Sequence, residues 1–459
     1  MAEKKGKIVT DFTSGNILKQ MISFAIPFML SNMMQVLYSL ADMAVVGHFV
    51  GYKGLSAVSV ASQLFMFMTM FCIGFSTGGQ VSISHKVGQG RMKELNNTIG
   101  TLFTVIGSIA IIMSIAGLIF AKPVLHLLNA PKESYEMAYS YVIVCSFGII
   151  FTYGYNMLSA VFRGMGDSKH PFMLITASAL INVVLDLLFV GVFGMGVAGA
   201  ALATIMGQGF SFIGAMIFLV KNKEEFGFDF KFASFRINKE ALVELVRLGI
   251  PFALQSCAIN ISMMFVNSLV NNVGVFASAT YGVGLKIDDF VNKITQGVTF
   301  AASSMVGQNY GAGNYKRVRK IVFSAWGISF VCYAIYVILY FARAEQMFAL
   351  FTDDVNVINL ARVYVSAIVW NYPAMAIMRG SNAFIQGIGN AKLSLTFAVL
   401  DGFVFRIAFS YILGIVFDFG LFGFFLGYGL ATYGTALPGA IYFLSGRWSK
   451  KNDKVVCAE

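Results

Sequence analysis

"AVFRGMGDSK", residues 160–169, returns 223 residues later as "AFIQGIGNAK" at 383–392. Working outward from it, "FGMGVAGAAL" at 193–202 pairs with "FDFGLFGFFL" at 417–426, and "AIPFML" at 25–30 with "GIPFAL" at 249–254, each at an offset of 224. "VGQGRMK" at 87–93 and "YGAGNYK" at 310–316 stand 223 apart again. Four matches at nearly one spacing mark an internal duplication.

What is duplicated follows from composition. The 459 residues are 57% apolar and 12% charged, with a mean hydropathy of +0.74, whereas about a quarter of the residues of a soluble domain are charged. Apolar stretches of 20 to 30 residues, with most Lys and Arg between them, indicate spanning helices and not a porin, whose strands alternate over about ten residues. Twelve spans are expected, near 17–47, 54–82, 94–121, 134–162, 170–193, 196–220, 240–271, 276–307, 316–342, 355–386, 393–416 and 420–445. Six per copy is even, so the copies share an orientation and are related by an axis along the membrane normal. The expected fold is an all-α membrane protein, twelve transmembrane helices in two pseudo-twofold-related six-helix lobes with a cleft between them. The expected boundaries are an N-terminal tail at 1–16, an N-lobe at 17–220, a linker at 221–239, a C-lobe at 240–446 and a C-terminal tail at 447–459.

With the N-terminus in the cytoplasm, Lys4, Lys5, Lys7, Lys19, Lys86, Arg91, Lys93, Arg163, Lys169, the linker, "KRVRK" at 316–320, Lys392 and "RWSKKNDK" at 447–454 fall on one side. Lys53, Lys122, Lys132 and Arg343 fall on the other. This positive-inside bias accounts for the net charge of +11 with no nucleic acid involved. Both termini are expected in the cytoplasm of a multi-pass protein of the cell's inner (plasma) membrane. The first fifteen residues are polar, and the span after them is too long for a removable signal peptide. Cys72, Cys145, Cys257, Cys332 and Cys457 show no CxxC spacing, which favours free thiols.

Polar residues inside the spans carry the function. In the first span Asn32, Gln35, Ser39 and Asp42 are three, four and three apart; Ser178, Asn182 and Asp186 repeat the pattern in the fifth, and Thr204, Gln208 and Ser211 in the sixth. Such stripes can be interhelical glue at about 1 kcal/mol per hydrogen bond. The aspartates are a different matter. An ionised carboxylate at mid-membrane costs at least about 2.5–3.5 kcal/mol, and protonating one at pH 7 from an ordinary value near 3.9 costs roughly 4 kcal/mol. Because the costs are similar, modest changes in hydration or hydrogen bonding decide which form is present, as a proton carrier requires. Asn182, one turn before Asp186, can donate to the anion or accept from the acid. Pro27 and its repeat partner Pro251, like Pro373, lie inside helices and permit a bend. In the C-lobe, Lys286, Asp289 and Lys293 are spaced for pairing along one helix, Arg379, Asp401 and Arg406 need partners or water, and Gln255, Asp289 and Arg379 are candidates for lining a substrate cavity.

"IPFMLSNMMQVLYSLADMAVVGHFVG" at 26–51, "FRGMGDSKHP" at 162–171, "INVVLDLLF" with "GVAGAALAT" at 181–204, "GQNYGAGNYKRV" at 307–318 and "FLSGRWSK" at 443–450 together resemble the multidrug and toxin extrusion (MATE) family of the MOP superfamily, within its prokaryotic DinF-like branch. The resemblance covers about residues 15–448. It implies a secondary antiporter that exports amphipathic, usually cationic, compounds in exchange for protons or sodium, with no cofactor, acting as a monomer in the lipid bilayer. By the same resemblance Asp42, Asn182 and Asp186 form the coupling site, where sodium could also bind; Asn156 and Thr204 complete it, Pro27 is the hinge, and Gln35 and Tyr38 face the cavity. Relatives that resemble the sodium-coupled type carry acids near Ile259 and Met375, where this chain has none. The basic residues Lys286, Lys293, Arg379 and Arg406 leave a second reading open, a flippase for a lipid-linked or anionic amphiphile. An intramembrane enzyme is disfavoured: His48, His85, His126 and His170 sit near span ends, and no HExxH or nucleophile motif is present.

Overall fold

A computed structural model describes residues 9–128 and 130–449. Lys4, Lys5, Lys7, Cys457 and most of the C-terminal tail lie outside the described residues. In a bilayer the backbone must satisfy its own hydrogen bonds, so long apolar runs become helices, and twelve helical rods follow in order. They are α1 (Ile17–Phe49), α2 (Tyr52–Gly88), α3 (Met92–Leu127), α4 (Tyr135–Gly164), α5 (Lys169–Asp186, continuing as a π-helical turn, Leu187–Val192) and α6 (Gly196–Lys221). The second copy holds α7 (Lys239–Asn271), α8 (Val275–Gly311), α9 (Tyr315–Ala349), α10 (Val355–Ile368 and Asn371–Gly387), α11 and α12 (Gly420–Ala431 and Tyr433–Leu444). α11 runs Ala391–Val399, then π-helical Leu400–Arg406, α-helical Ile407–Tyr411 and π-helical Ile412–Val416. Among the described residues nine of these rods are individually long and apolar enough to cross a membrane. The others are α8, which carries Lys286, Asp288, Asp289 and Lys293 in its middle, and α10 and α12, each broken into two shorter helices. Gly90 and Gly313, repeat partners just beyond α2 and α8, both take a left-handed φ of 71° that only glycine adopts cheaply.

Apolar attraction between helices is weak in lipid, so close packing of small residues holds them. A Cβ on Gly148 would lie 2.3 Å from Ile205, and one on Gly154 2.4 Å from Phe212, which fixes α4 against α6.

The chain divides into two compact units, residues 1–11 with 30–253, and residues 12–29 with 254–459. The division falls within the first helix of each copy, two residues beyond Pro27 in α1 and two beyond Pro251 in α7. Packing explains it. Phe24 and Phe28 of α1 share a buried cluster with Val298, Ala301 and Met305 of α8, and a Cβ on Gly297 would lie 2.8 Å from the Met29 backbone nitrogen. In the first unit, Leu245 of α7 lies in the main cluster, Lys86 of α2 pairs with Glu244 at 2.6 Å, and a Cβ on Gly74 would lie 2.5 Å from the Ala253 backbone nitrogen. Gly74 and Gly297 are themselves 223 apart.

The linker is folded. A short helix, Lys223–Phe226, and a 3-10 turn, Phe232–Phe235, lie on α3. Phe226 and Phe228 are buried, Phe228 stacks on Phe103 at 5.6 Å, and Thr104 donates to the Phe235 carbonyl at 2.6 Å. The Ser234 carbonyl lies so near Gly100 that a Cβ there would be 1.8 Å away.

Candidate functional site

In the first unit, Ser178, Asn182 and Asp186 form a wholly buried stripe on α5, with Asp186 at 0% exposure. The Ser178 hydroxyl donates to the Gly207 carbonyl of α6 at 2.6 Å. Beyond it the stripe loses its protein partners. Both amide atoms of Asn182 and both carboxyl oxygens of Asp186 are buried with no hydrogen bond among the described residues, as is Oδ1 of Asp42 on α1. Asp42 is itself only 8% exposed, and the Asp42 and Asp186 carboxyl groups lie within electrostatic reach of each other. Tyr38 and Tyr141 lie within similar reach of Asp42. Asp186 also stands where α5 changes from α to π geometry, an irregularity frequent at functional sites.

The remaining expected residues are more loosely placed. Asn156 is half-buried and donates back to the Thr152 carbonyl at 2.8 Å; Thr204 is half-buried on α6, below Gln208, whose Oε1 is also unpartnered. Gln35 is exposed and Tyr38 half-buried. Pro27 lies within a continuous α1.

In the second unit the expected residues separate. Gln255 accepts from Ser394 at 2.8 Å. Asp289 is exposed on one face of α8, whereas its neighbour Asp288 is buried and takes three hydroxyl bonds: Tyr336 and Tyr372 donate to Oδ1 at 2.9 and 2.7 Å, and Tyr364 to Oδ2 at 2.6 Å. Asp288 was not among the residues the sequence singled out. Its signal was there: Asp288, Asn292, Thr295 and Thr299 are spaced four, three and four, the stripe pattern used for α1, α5 and α6. Asp401 and Arg406 pair at 2.9 Å. Their spacing of five matches the π-helical stretch that holds them. Arg379 makes no ion pair among the described residues; it donates to Asn292 and Tyr333. Cys72, Cys145, Cys257 and Cys332 are free thiols.

A sequence profile for the family described as MatE matches residues 27–188 and again 251–412, both ends shifted by 224, so the two matches are the two copies. The chain is 29% identical to the probable multidrug resistance protein YpnP of Bacillus subtilis (strain 168), over 95% of this chain and 97% of that one. It is 26% identical to the probable multidrug resistance protein NorM of Thermotoga maritima, covering 95% and 94%, and 24% identical to the multidrug export protein MepA of Staphylococcus aureus, covering 86% of each. The fold superimposes on a crystal structure of MATE in the bent conformation with a TM-score of 0.91 at 23% identity, covering 98% and 99%. An outward-facing multidrug resistance MATE transporter gives 0.90 at 24% identity, covering 98% and 99%. Duplicated profile, full-length relatives and shared fold agree: this chain belongs to the MatE family of multidrug efflux transporters, multi-pass membrane proteins that carry small molecules and are not enzymes.

Proposed function

We propose that this transporter is a secondary antiporter. It exports amphipathic, mainly cationic compounds across the cytoplasmic membrane by alternating access, in exchange for protons taken up at Asp42 and Asp186. Asn182, Asn156 and Thr204 complete that coupling site, Pro27 lets α1 bend, and Gln35, Tyr38, Gln255 and Asp289 meet the cationic substrate; the protein works as a monomer with both termini in the cytoplasm.

One observation carries the reading: Asp186, fully buried, has no partner for either carboxyl oxygen among the described residues and lies within electrostatic reach of a second buried carboxylate. A buried charge that is permanent is normally paired. Two unpaired carboxyl groups sharing an apolar unit are stable when they exchange protons, because neutralising one relieves both its desolvation and the repulsion. Exchange of one proton for one monocation moves no net charge, so the pH gradient drives it: each pH unit supplies about 1.4 kcal/mol, enough for roughly a tenfold substrate gradient. Sodium is the other ion that the oxygen donors of Asp42, Asn182, Asp186 and Thr204 suit.

The test is export of ethidium from proteoliposomes under an imposed proton gradient or an imposed sodium gradient. Export that follows the proton gradient alone is expected. Export that follows sodium alone moves the same carboxylates to cation binding, and export under neither gradient ends the antiport reading.

A further inference from the structure

The repeat is a structural correspondence, and each unit fixes it by its own packing. A Cβ on Gly164 would meet Ile83 and the Gln80 carbonyl; one on Gly387 would meet Val306 and the Ser303 carbonyl, every position shifted by 223. Gly199 faces Phe189 as Gly423 faces Leu413, and Gly148 faces Ile205 as Gly429 faces Asn371, with the glycine on the other helix. The π-turn Leu187–Val192 after Asp186 reappears as Ile412–Val416.

Carried through these offsets, the candidate coupling site changes sign. Asp42 corresponds to Val266, Asn156 to Arg379, Asn182 to Arg406, Asp186 to Ser410 and Thr204 to Tyr428. Both carboxylates are gone and two guanidinium groups stand in place of two amides. Arg406 is neutralised: it is buried, bonded to Asp401 at 2.9 Å, and its guanidinium lies 4.9 Å from the Tyr428 ring centre.

Arg379 is not neutralised. It is half-buried, and its Nη2 donates to the Asn292 carbonyl and side chain at 3.3 and 3.1 Å, its Nε to Tyr333 at 3.4 Å. Tyr333 is held in turn by Asn292 and Thr295, both at 2.9 Å. Nη1 donates to no described residue and is not enclosed. The nearby carboxylate on α8, Asp288, faces three tyrosine hydroxyls; Asp289 and Lys286 are exposed and Lys293 half-buried on the same helix. A guanidinium inside a spanning segment is costly and marks a substrate path, and its planar fork fits carboxylate and phosphate oxygens.

We propose that the C-terminal unit holds an anion-recognition site centred on Arg379, which binds the carboxylate or phosphate group of an amphipathic molecule at Nη1 while Asn292 and Tyr333 orient the guanidinium. The proposal takes the direction of transport from the export reading and adds a substrate class to it: anionic or zwitterionic amphiphiles.

The experiment uses the full-length protein in phosphatidylcholine nanodiscs, with a fluorescent bile-acid conjugate as the anionic probe and ethidium as the cationic one. Arg379→Asn, which restores the residue of the N-terminal copy, is expected to weaken the anionic probe by about tenfold to a hundredfold, the range for losing a hydrogen bond to a charged group. Ethidium binding and the melting temperature are expected to stay near wild type, and Arg379→Lys to fall between. Displacement of the anionic probe by phosphatidylglycerol in wild type but not in Arg379→Asn identifies a bilayer lipid as the source of the anion; no displacement identifies a transported amphiphile. Wild-type affinity for the anionic probe in Arg379→Asn overturns the site, as does equal loss of both probes. Because binding is read at equilibrium, failure of ethidium to move under any gradient counts against export alone.

Discussion

At the scale of single residues, the two units treat buried charge in opposite ways. Among the described residues Asp186 and Asp42 keep buried carboxyl oxygens with no partner, whereas Asp288 is held by three tyrosines and Asp401 by Arg406. On the proposed antiport reading the first pair changes protonation state in each cycle and the others do not. Asp401→Asn leaves Arg406 buried without its counter-charge and is expected to cost about 3–5 kcal/mol, the usual result of removing one partner of a buried pair, read as a lower melting temperature in detergent. Tyr364→Phe removes one hydrogen bond to Asp288 and is expected to cost about 1.5–3 kcal/mol by the same measurement. The sequence made Asp42, Asn182 and Asp186 legible because a lone carboxylate in an apolar run has few explanations. Asp288 was passed over, because neighbouring residues on a helix differ by about 100° in direction and spacing to Lys286 and Lys293 drew attention to Asp289 on the adjacent face.

At the scale of elements, glycines decide where helices meet. Gly74 against Ala253 and Gly297 against Met29 are the same contact in the two copies, and at each a Cβ would strike backbone. Gly74→Val and Gly297→Val are each expected to lower yield and melting temperature, since the obstructing atoms cannot swing aside; a variant at wild-type stability would show the crossing to be loose. The linker depends on Gly100 in the same way. Gly100→Ala is expected to free the segment 223–238, seen as faster proteolysis there while α3 stays protected. Asp229 adds a pH dependence to this docking. The Ser234 hydroxyl, bonded at 2.6 Å, and then the Lys231 backbone hold its carboxyl below the usual aspartate value. A lowered folded value means that the contribution is complete at neutral pH and lost as pH falls through that value, so proteolysis of the linker is expected to be flat from neutral pH down to about pH 4 and to rise only below it, with the rise absent in Ser234→Ala. A linker rich in charge reads as solvated; the phenylalanines interleaved with those charges are what attach it.

At the scale of the whole molecule, the duplication and the twelve rods were legible because lipid permits so few backbone solutions, and the offset of 224 recurs in the two profile matches. The limits of the compact units were not legible: they follow from the close contacts at Gly74 and Gly297, which no hydropathy pattern announces. Divergence between the copies left the carboxylates in one and guanidiniums in the other, so the coupling chemistry is expected to reside in the N-terminal copy alone. Infrared difference spectroscopy of the reconstituted transporter, with and without a cationic substrate, reads this directly. A protonated-carboxyl stretching band is expected to disappear as substrate binds at neutral pH, and this change is expected to be missing in Asp186→Asn. An identical difference spectrum in wild type and Asp186→Asn would contradict it.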